Sequence, residues 1–254
     1  MRRFGPLLLA AVLVGGCAAA ASPAVGSSPA PPTAGSEQPT AAVAPSPTVG
    51  SGSTVAIDIA VPGPATLPAD LTPALTVLRT RLTSLGVAVP ASGLSIDDSG
   101  IRFTGIRPPD LSEAVVRAAL SDRGAVTIVG LSGGAEGSDQ ALPSSGALLD
   151  PSTVTPLADL TNSGATATTT TDASGSRALE LTLSQSDAKA VADFTQGHVG
   201  GAMAVLIDGR VFTTPIIQSP ITGASLVLVG GQDGDVRLID ALLASGMLPA
   251  PFGQ

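Results

Sequence analysis

Few residues in this chain could do covalent chemistry, and their spacing argues against most of it. Ser186-Asp-Ala-Lys189 sets the only lysine three residues after a serine, a spacing at which an amine can serve as base to a hydroxyl nucleophile. The companion motifs of penicillin-binding enzymes do not follow, and the composition of a helix start explains these residues better. His198, the only histidine, falls at an expected helix end, where exposure or the helix dipole accounts for it. No Gly-x-Ser-x-Gly elbow occurs. Asp233-Gly-Asp235 hints at a calcium loop, but no acidic residue completes one, and a turn followed by acids at a helix N-terminus fits it. Gly133-Gly134 and Gly137 lack the spacing and the helix of a phosphate cradle, and Asp97-Asp98 reads as a solvated turn. No catalytic residue, metal site or cofactor is expected, and the chain is not expected to be an enzyme.

Composition narrows the field further. The 254 residues are 44% apolar and only 13% charged, with 2% aromatics and neither Trp nor Tyr. The core must therefore be built from Val, Leu, Ile and Ala, with five Phe as the only large fillers. Twelve basic residues against twenty acidic ones leave a net charge of -8 and no basic run. That excludes nucleic-acid binding by phosphate neutralisation and a polybasic patch for anionic lipid. A single cysteine, Cys17, allows neither an intrachain disulfide nor a cysteine-based zinc site.

The N-terminus reads as an address. Arg2 and Arg3 precede an apolar run, Leu7 to Val14, too short to span a bilayer as a finished helix. Gly15, Gly16 and Cys17 follow at once, small residues before a cysteine, which resembles the lipobox of bacterial lipoproteins. Residues 1–16 are then a signal peptide, and the mature chain begins at a lipidated Cys17. Each buried methylene of an acyl chain contributes roughly 0.8 kcal/mol, so two or more chains anchor stably where one is marginal. Residues 17–53, rich in Ala, Pro, Ser, Thr and Gly without apolar periodicity, form a disordered tether. It spans roughly 30 Å as a flexible coil and roughly 100 Å as extended polyproline. The expected location is the extracytoplasmic side of the cell membrane, with the lipid anchor as the only membrane attachment.

Periodicity then sets out the folded part. Val55, Ile57 and Ile59 alternate as a strand. Leu71, Leu75, Leu78, Leu82 and Leu85 form one stripe of a helix that Thr72 and Pro73 start and Gly86 stops. Short strands around 94–96 and 101–106 flank a turn, and a helix capped by Asp110 or Ser112 buries Val115 and Ala119. Ala125 to Leu131 is an apolar strand. This strand-helix-strand-strand-helix-strand order is the ferredoxin-like one. Residues 132–176 read as loops with one or two weak strands. Beyond them come a strand at 177–183, a helix capped by Ser184 and running to about His198, a strand at 202–207, an Asp208-Gly209 hairpin turn and a strand at 211–217 interrupted by Pro215. A last strand, 225–229, precedes a helix with Val236, Ile239 and Leu242 on its apolar face.

The end of the chain carries a family resemblance. Ala204-Val-Leu-Ile-Asp-Gly209, Pro215-Ile216, Pro220-Ile-Thr-Gly223 and Ser245-Gly-Met-Leu-Pro-Ala-Pro251 occur in an order that resembles the head region of the first periplasmic domain of SecD, the protein-export subunit. Leu78 to Pro90, with Leu85-Gly-Val87, resembles the Arg-containing helix and the turn of the same domain. Where that family commonly has Gly-Gly-Phe-Thr, this chain has Gly230-Gly-Gln-Asp-Gly234. The resemblance implies an α+β fold: a ferredoxin-like base at 54–132, with 233–251 a candidate to complete it, and an inserted α+β head subdomain at 133–232. No run of about twenty apolar residues follows, so no proton-driven motor is expected in this chain alone.

What the resemblance implies is an accessory to protein export that binds unfolded or emerging secreted polypeptides or components of the Sec translocon. The expected contact surface is the head sheet, through Val205, Ile207, Val211, Ile216 and Val227, where strand edges can take an extended peptide by main-chain pairing. The other reading is an envelope lipoprotein that kept the fold as a structural or interaction module without an export role.

Overall fold

The computed structural model describes residues 52–60, 70–97, 99–131, 142–172, 174–229 and 235–249. The lipobox, the expected tether up to residue 51, Gly133-Gly134 and residues 230–234 lie outside them, whereas Ser53, expected in the tether, already stands in a strand. Alternation makes β1 (Ser53–Ala60), with Val55 and Ile57 inward. The leucine stripe makes α1 (Thr72–Ser84), started by Pro73 and by Asp70, whose carboxylate accepts the Thr72 N–H at 2.9 Å. β2 (Leu94–Asp97) and β3 (Gly100–Arg107) form a hairpin, and β1 pairs antiparallel along the whole of β3, from Ser53–Arg107 to Ala60–Gly100. Ser112 is the cap of α2 (Glu113–Ser121), its hydroxyl accepting the Val115 N–H at 3.3 Å.

β4 (Val126–Leu131) completes the expected order of elements but does not join this sheet. In a ferredoxin-like unit it would lie beside β1. Here the first sheet runs β1-β3-β2, and β4 sits between β5 (Val154–Asp159) and β8 (Met203–Ile207). With β9 (Arg210–Thr213) they form a four-stranded antiparallel sheet, β5-β4-β8-β9. The reason is legible in β4 itself. Five of its six residues are buried, so both faces need covering and both edges need partners. The boundary expected after residue 132 therefore falls inside a sheet rather than between domains.

A third sheet, β10-β7-β6, joins β6 (Thr166–Thr171), β7 (Arg177–Thr182) and β10 (Ser225–Val229). The threonine run read as a loop with weak strands is a true edge strand, as β-branched residues favour. β9 ends at Thr213, because Pro215 has no N–H to donate, although its carbonyl still accepts the Met203 N–H at 3.0 Å. α3 (Gln185–Gly197) starts where Ser184 accepts the Asp187 N–H at 3.2 Å.

α4 (Arg237–Ser245) returns to the first helices, packing on α1 and α2 and on β6. One core cluster runs from Val55 through Leu248 and takes in all three sheets. A smaller cluster of Val129, Leu131, Ala202, Ala204, Leu206 and Val211 lies on the other face of the four-stranded sheet, covered by Ala147 and Leu149. Among the described residues no helix is long and apolar enough to cross a membrane.

Candidate interaction surface and its anchorage

Three of the five residues expected to face a partner do not. Val205 and Ile207 are 1% and 6% exposed in the main core, and Val211 is 3% exposed in the smaller cluster. β8 is an interior strand of a sheet covered on both faces, so neither its edges nor its alternate side chains reach solvent. β9 is closed as well: Val211 donates to Ala147 at 2.8 Å and accepts from Gly146 at 2.7 Å. Ile216, 40% exposed, and the half-buried Val227 remain accessible, but Ile216 lies outside the strands, bridged to Ala202, while Val227 is in β10 of the third sheet.

β10 is an outer strand of the third sheet, and among the described residues no strand pairs its far side. The Leu183 N–H donates to the Ala224 carbonyl at 2.7 Å, and the ladder continues without a bulge from Ser225–Thr182 to Val229–Ala178. Antiparallel pairing alternates. Leu226 and Leu228 therefore turn their backbone groups toward β7 and their side chains into the core, while Ser225, Val227 and Val229 turn theirs outward. Among the described residues, none outside the ladder with β7 hydrogen-bonds the Val227 backbone.

The four-stranded sheet is fixed to the helices by two charged groups. Asp208 and Gly209 form the β8–β9 turn with φ of 51° and 78°, the left-handed pair that a type I′ turn needs. The Asp208 carboxylate does more than make a turn. It accepts the Gly124 N–H at 3.1 Å and the Ala125 N–H at 2.8 Å, holding the chain as it enters β4. On the other side of that entry lies Arg81, fully buried on the leucine stripe of α1. Its guanidinium makes five bonds: to Ala119 O at 3.1 Å, Asp122 O, Arg123 O at 2.8 Å, Gly246 O at 2.9 Å and Ser245 Oγ at 3.0 Å. Four of these acceptors are carbonyls at or just past the C-terminal ends of α2 and α4, and the fifth is a hydroxyl in the last turn of α4, so the cation also meets the negative end of each helix dipole. Burial pulls the Arg81 pKa down to about 10, with Asp122 and Asp208 holding it up, so it stays charged at neutral pH. Gly124 must be glycine: its φ is 98°, and a Cβ would stand 2.3 Å from Arg81 Nη2.

Beside this junction a cleft of about 300 Å³ separates α2 from the β8–β9 hairpin, with Asp122, Asp208 and Arg210 on its walls. Burial, and then the charge of Asp208, push the Asp122 carboxyl up to about 6, against the pull of Ser121, Arg81 and Arg210.

Sequence reasoning read Asp208 as a turn residue only and passed over Arg81 and Asp122. The signal for Arg81 was its position. It falls three residues after Leu78 and four before Leu85, on the apolar stripe, where a charge needs a reason.

Several of the residues weighed for chemistry have partners within the fold. The His198 ring stacks on Phe194 at 4.0 Å, with Nδ1 2.7 Å from the Phe194 carbonyl. Lys189 pairs with Asp193 one helical turn on, and Ser186 Oγ lies 3.0 Å from Ser184 Oγ. Asp235 holds Arg237, which keeps its carboxyl below the usual range despite burial. No cluster of metal-ligating side chains occurs among the described residues.

The scaffold is antiparallel α+β, with an Asp-Gly hairpin and a closing helix, and comparison with known sequences bears out the SecD first periplasmic domain that the motifs implied. Residues 136–250 match the family described as SecDF, P1 head subdomain. The protein translocase subunit SecD of Acidaminococcus fermentans is 38% identical over 92 residues, covering 36% of this chain and 21% of that protein. SecDF of Thermus thermophilus is 30% identical over 201 residues, 72% of this chain and 27% of that protein. A solved structure described as "Structure and function of a membrane component SecDF that enhances protein export" is 26% identical, spanning 79% of this chain and 96% of that one at a TM-score of 0.44. The chain thus spans 21% and 27% of the two curated relatives.

Proposed function

We propose that this chain assists protein export on the extracytoplasmic side of the membrane, held there by lipid on Cys17, and that it does so by presenting surface rather than by chemistry. Its partners are unfolded or emerging secreted polypeptides, close to the Sec translocon. The likeness to SecD supports the setting. The open edge of β10 supports the mode, and is the observation that carries it: an extended segment can pair with the outward backbone groups of Ser225, Val227 and Val229, whatever its side chains. Such pairing suits a binder of many sequences, because the main chain supplies the affinity.

The test is Val227→Pro. Proline removes one outward N–H and leaves the β7 ladder intact, since that N–H is not part of it. Binding of a reduced, unfolded secreted protein to the full chain, followed by fluorescence anisotropy, is expected to fall several-fold, by about the worth of one or two hydrogen bonds. Unchanged binding by a variant that unfolds at the wild-type temperature would remove β10 as the site.

A further inference from the structure

The outer side of β9 is covered by residues 142–149, a strap on the way from β4 to β5. Among the described residues, three main-chain bonds hold it to the β8–β9 hairpin. Gly146 N–H donates to the Val211 carbonyl at 2.7 Å, Val211 N–H to the Ala147 carbonyl at 2.8 Å, and Leu149 N–H to the Gly209 carbonyl at 3.5 Å. Two side chains add long bonds, from Thr214 Oγ1 to the Pro143 carbonyl at 3.3 Å and from Arg210 Nη1 to the Gly146 carbonyl at 3.5 Å.

The strap covers more than it buries. Ala147 and Leu149, two residues apart, lie over the smaller apolar cluster, where Val129, Ala204, Leu206 and Val211 are at most 6% exposed. Yet no residue from 142 to 149 is itself buried, and Leu148 is 66% exposed. Hollows adjoin it at two places. The cleft of about 300 Å³ reaches Ser145 and Gly146, and a pocket of about 400 Å³ reaches Leu149. Gly146, with φ of 81°, has nothing within 4 Å of where a Cβ would stand. Few buried apolar contacts and backbone bonds close to solvent are the conditions for local opening.

We infer that the strap is a resident occupant of β9, and that an extended stretch of a bound polypeptide displaces it, pairing with the Val211 main chain and laying alternate apolar side chains on the cluster beneath. The strap itself shows the chemistry of that occupant: a main chain to pair, and apolar side chains two residues apart, as Ala147 and Leu149 are. A small apolar molecule would cover the cluster and leave the Val211 N–H and carbonyl unpaired. Withdrawal of the strap alone would bare six apolar residues, so the closed form is the resting one. A polypeptide that takes the same place removes that cost. The inference rests on the reading that the partner is a polypeptide, but it concerns a different sheet from β10.

A lock on the strap tests it. Leu148 and Arg210 face each other as a non-hydrogen-bonded antiparallel pair, a geometry with about 4.5 Å between Cα atoms, which a disulfide can span. Both are exposed. Leu148→Cys with Arg210→Cys, on a Cys17→Ser background, therefore holds the strap when oxidised and frees it when reduced. The probe is the blocked peptide acetyl-Thr-Val-Thr-Ala-Thr-Leu-Thr-amide, titrated into the full chain and followed by backbone amide shifts. The reduced form is expected to bind with shifts at Gly146, Leu149 and Val211, and the oxidised form to bind there about ten-fold more weakly or worse. Gly146→Pro removes one strap bond and cannot hold φ of 81°, so it should tighten binding several-fold by populating the open form. That variant decides the matter if the cysteine pair does not close. Equal binding by the oxidised and reduced forms, or no gain in Gly146→Pro, overturns the strap. Shifts confined to β10 that survive the lock overturn it too while leaving the export reading in place. Shifts at Val211 that the lock abolishes, with none at Val227, do the reverse. Binding at neither edge ends both.

Discussion

The two ends of α4 hold it by the same kind of charge and in opposite surroundings. At its C-terminal end Arg81 is fully buried, and each of its bonds goes to a carbonyl or hydroxyl. At its N-terminal end Arg237 reaches Asp235 and the Asp110 carboxylate at 3.1 Å, which also accepts Arg177 at 3.0 Å. There Asp110 and Arg177 stand well into solvent. Arg177, and then Arg237, hold the Asp110 carboxyl below its usual range, yet water screens what that shift is worth to the fold. Both ends tie α4 to the start or finish of α2. The difference teaches that the number of ionic contacts does not rank the two ends, whereas the loss of solvent does.

Arg81→Met should separate them most. It keeps the stem and strips the donors from the carbonyl ends of two buried helices, so urea unfolding is expected to show a loss of about 3–5 kcal/mol. A loss as small as that of an exposed pair would mean water replaces the guanidinium, and the dry end would be dry in name only.

Asp122→Asn sharpens the comparison from beside the buried end. The folded carboxyl is raised to about 6 from an unfolded value of 3.8, so between those pH values the folded state holds the proton more tightly than the unfolded one. Stability therefore falls as pH rises from about 4 to about 6 and stays lower above that window. The amide cannot ionise. Its melting temperature should exceed wild type at pH 7, and the gap should close by pH 4. Equal pH profiles for the two proteins would show that Asp122 is solvated as an ordinary carboxylate.

Arg177→Ala should do least. The exposed pair with Asp110 is worth about 0–1 kcal/mol, and what there is should disappear in molar salt. A larger, salt-resistant loss would place the N-terminal end of α4 in the same class as the buried one and erase the distinction.

Much of the scaffold was legible because period is a local signal. The alternation of Val55 and Ile57, the leucine stripe of α1 and the Ser184 cap are each written within a few residues of chain, and each formed as expected. β4 misled because an apolar run says that both faces are covered and nothing about which neighbours cover them. Val205, Ile207 and Val211 misled for the same reason. Their hydrophobicity marked a buried strand and was taken for a surface.

The chain on its own set the α+β order, the Asp-Gly hairpin and the motifs shared with SecD, since all depend on neighbours in sequence. Tertiary structure alone decided that β4 leaves the first sheet, that β10 is an outer strand of its sheet, and that Arg81 meets Gly246, 165 positions away. Strand partners and buried charges are chosen by which backbone groups and carbonyl ends the folded chain withdraws from water together, and that is a property of distant segments, not of any window of residues.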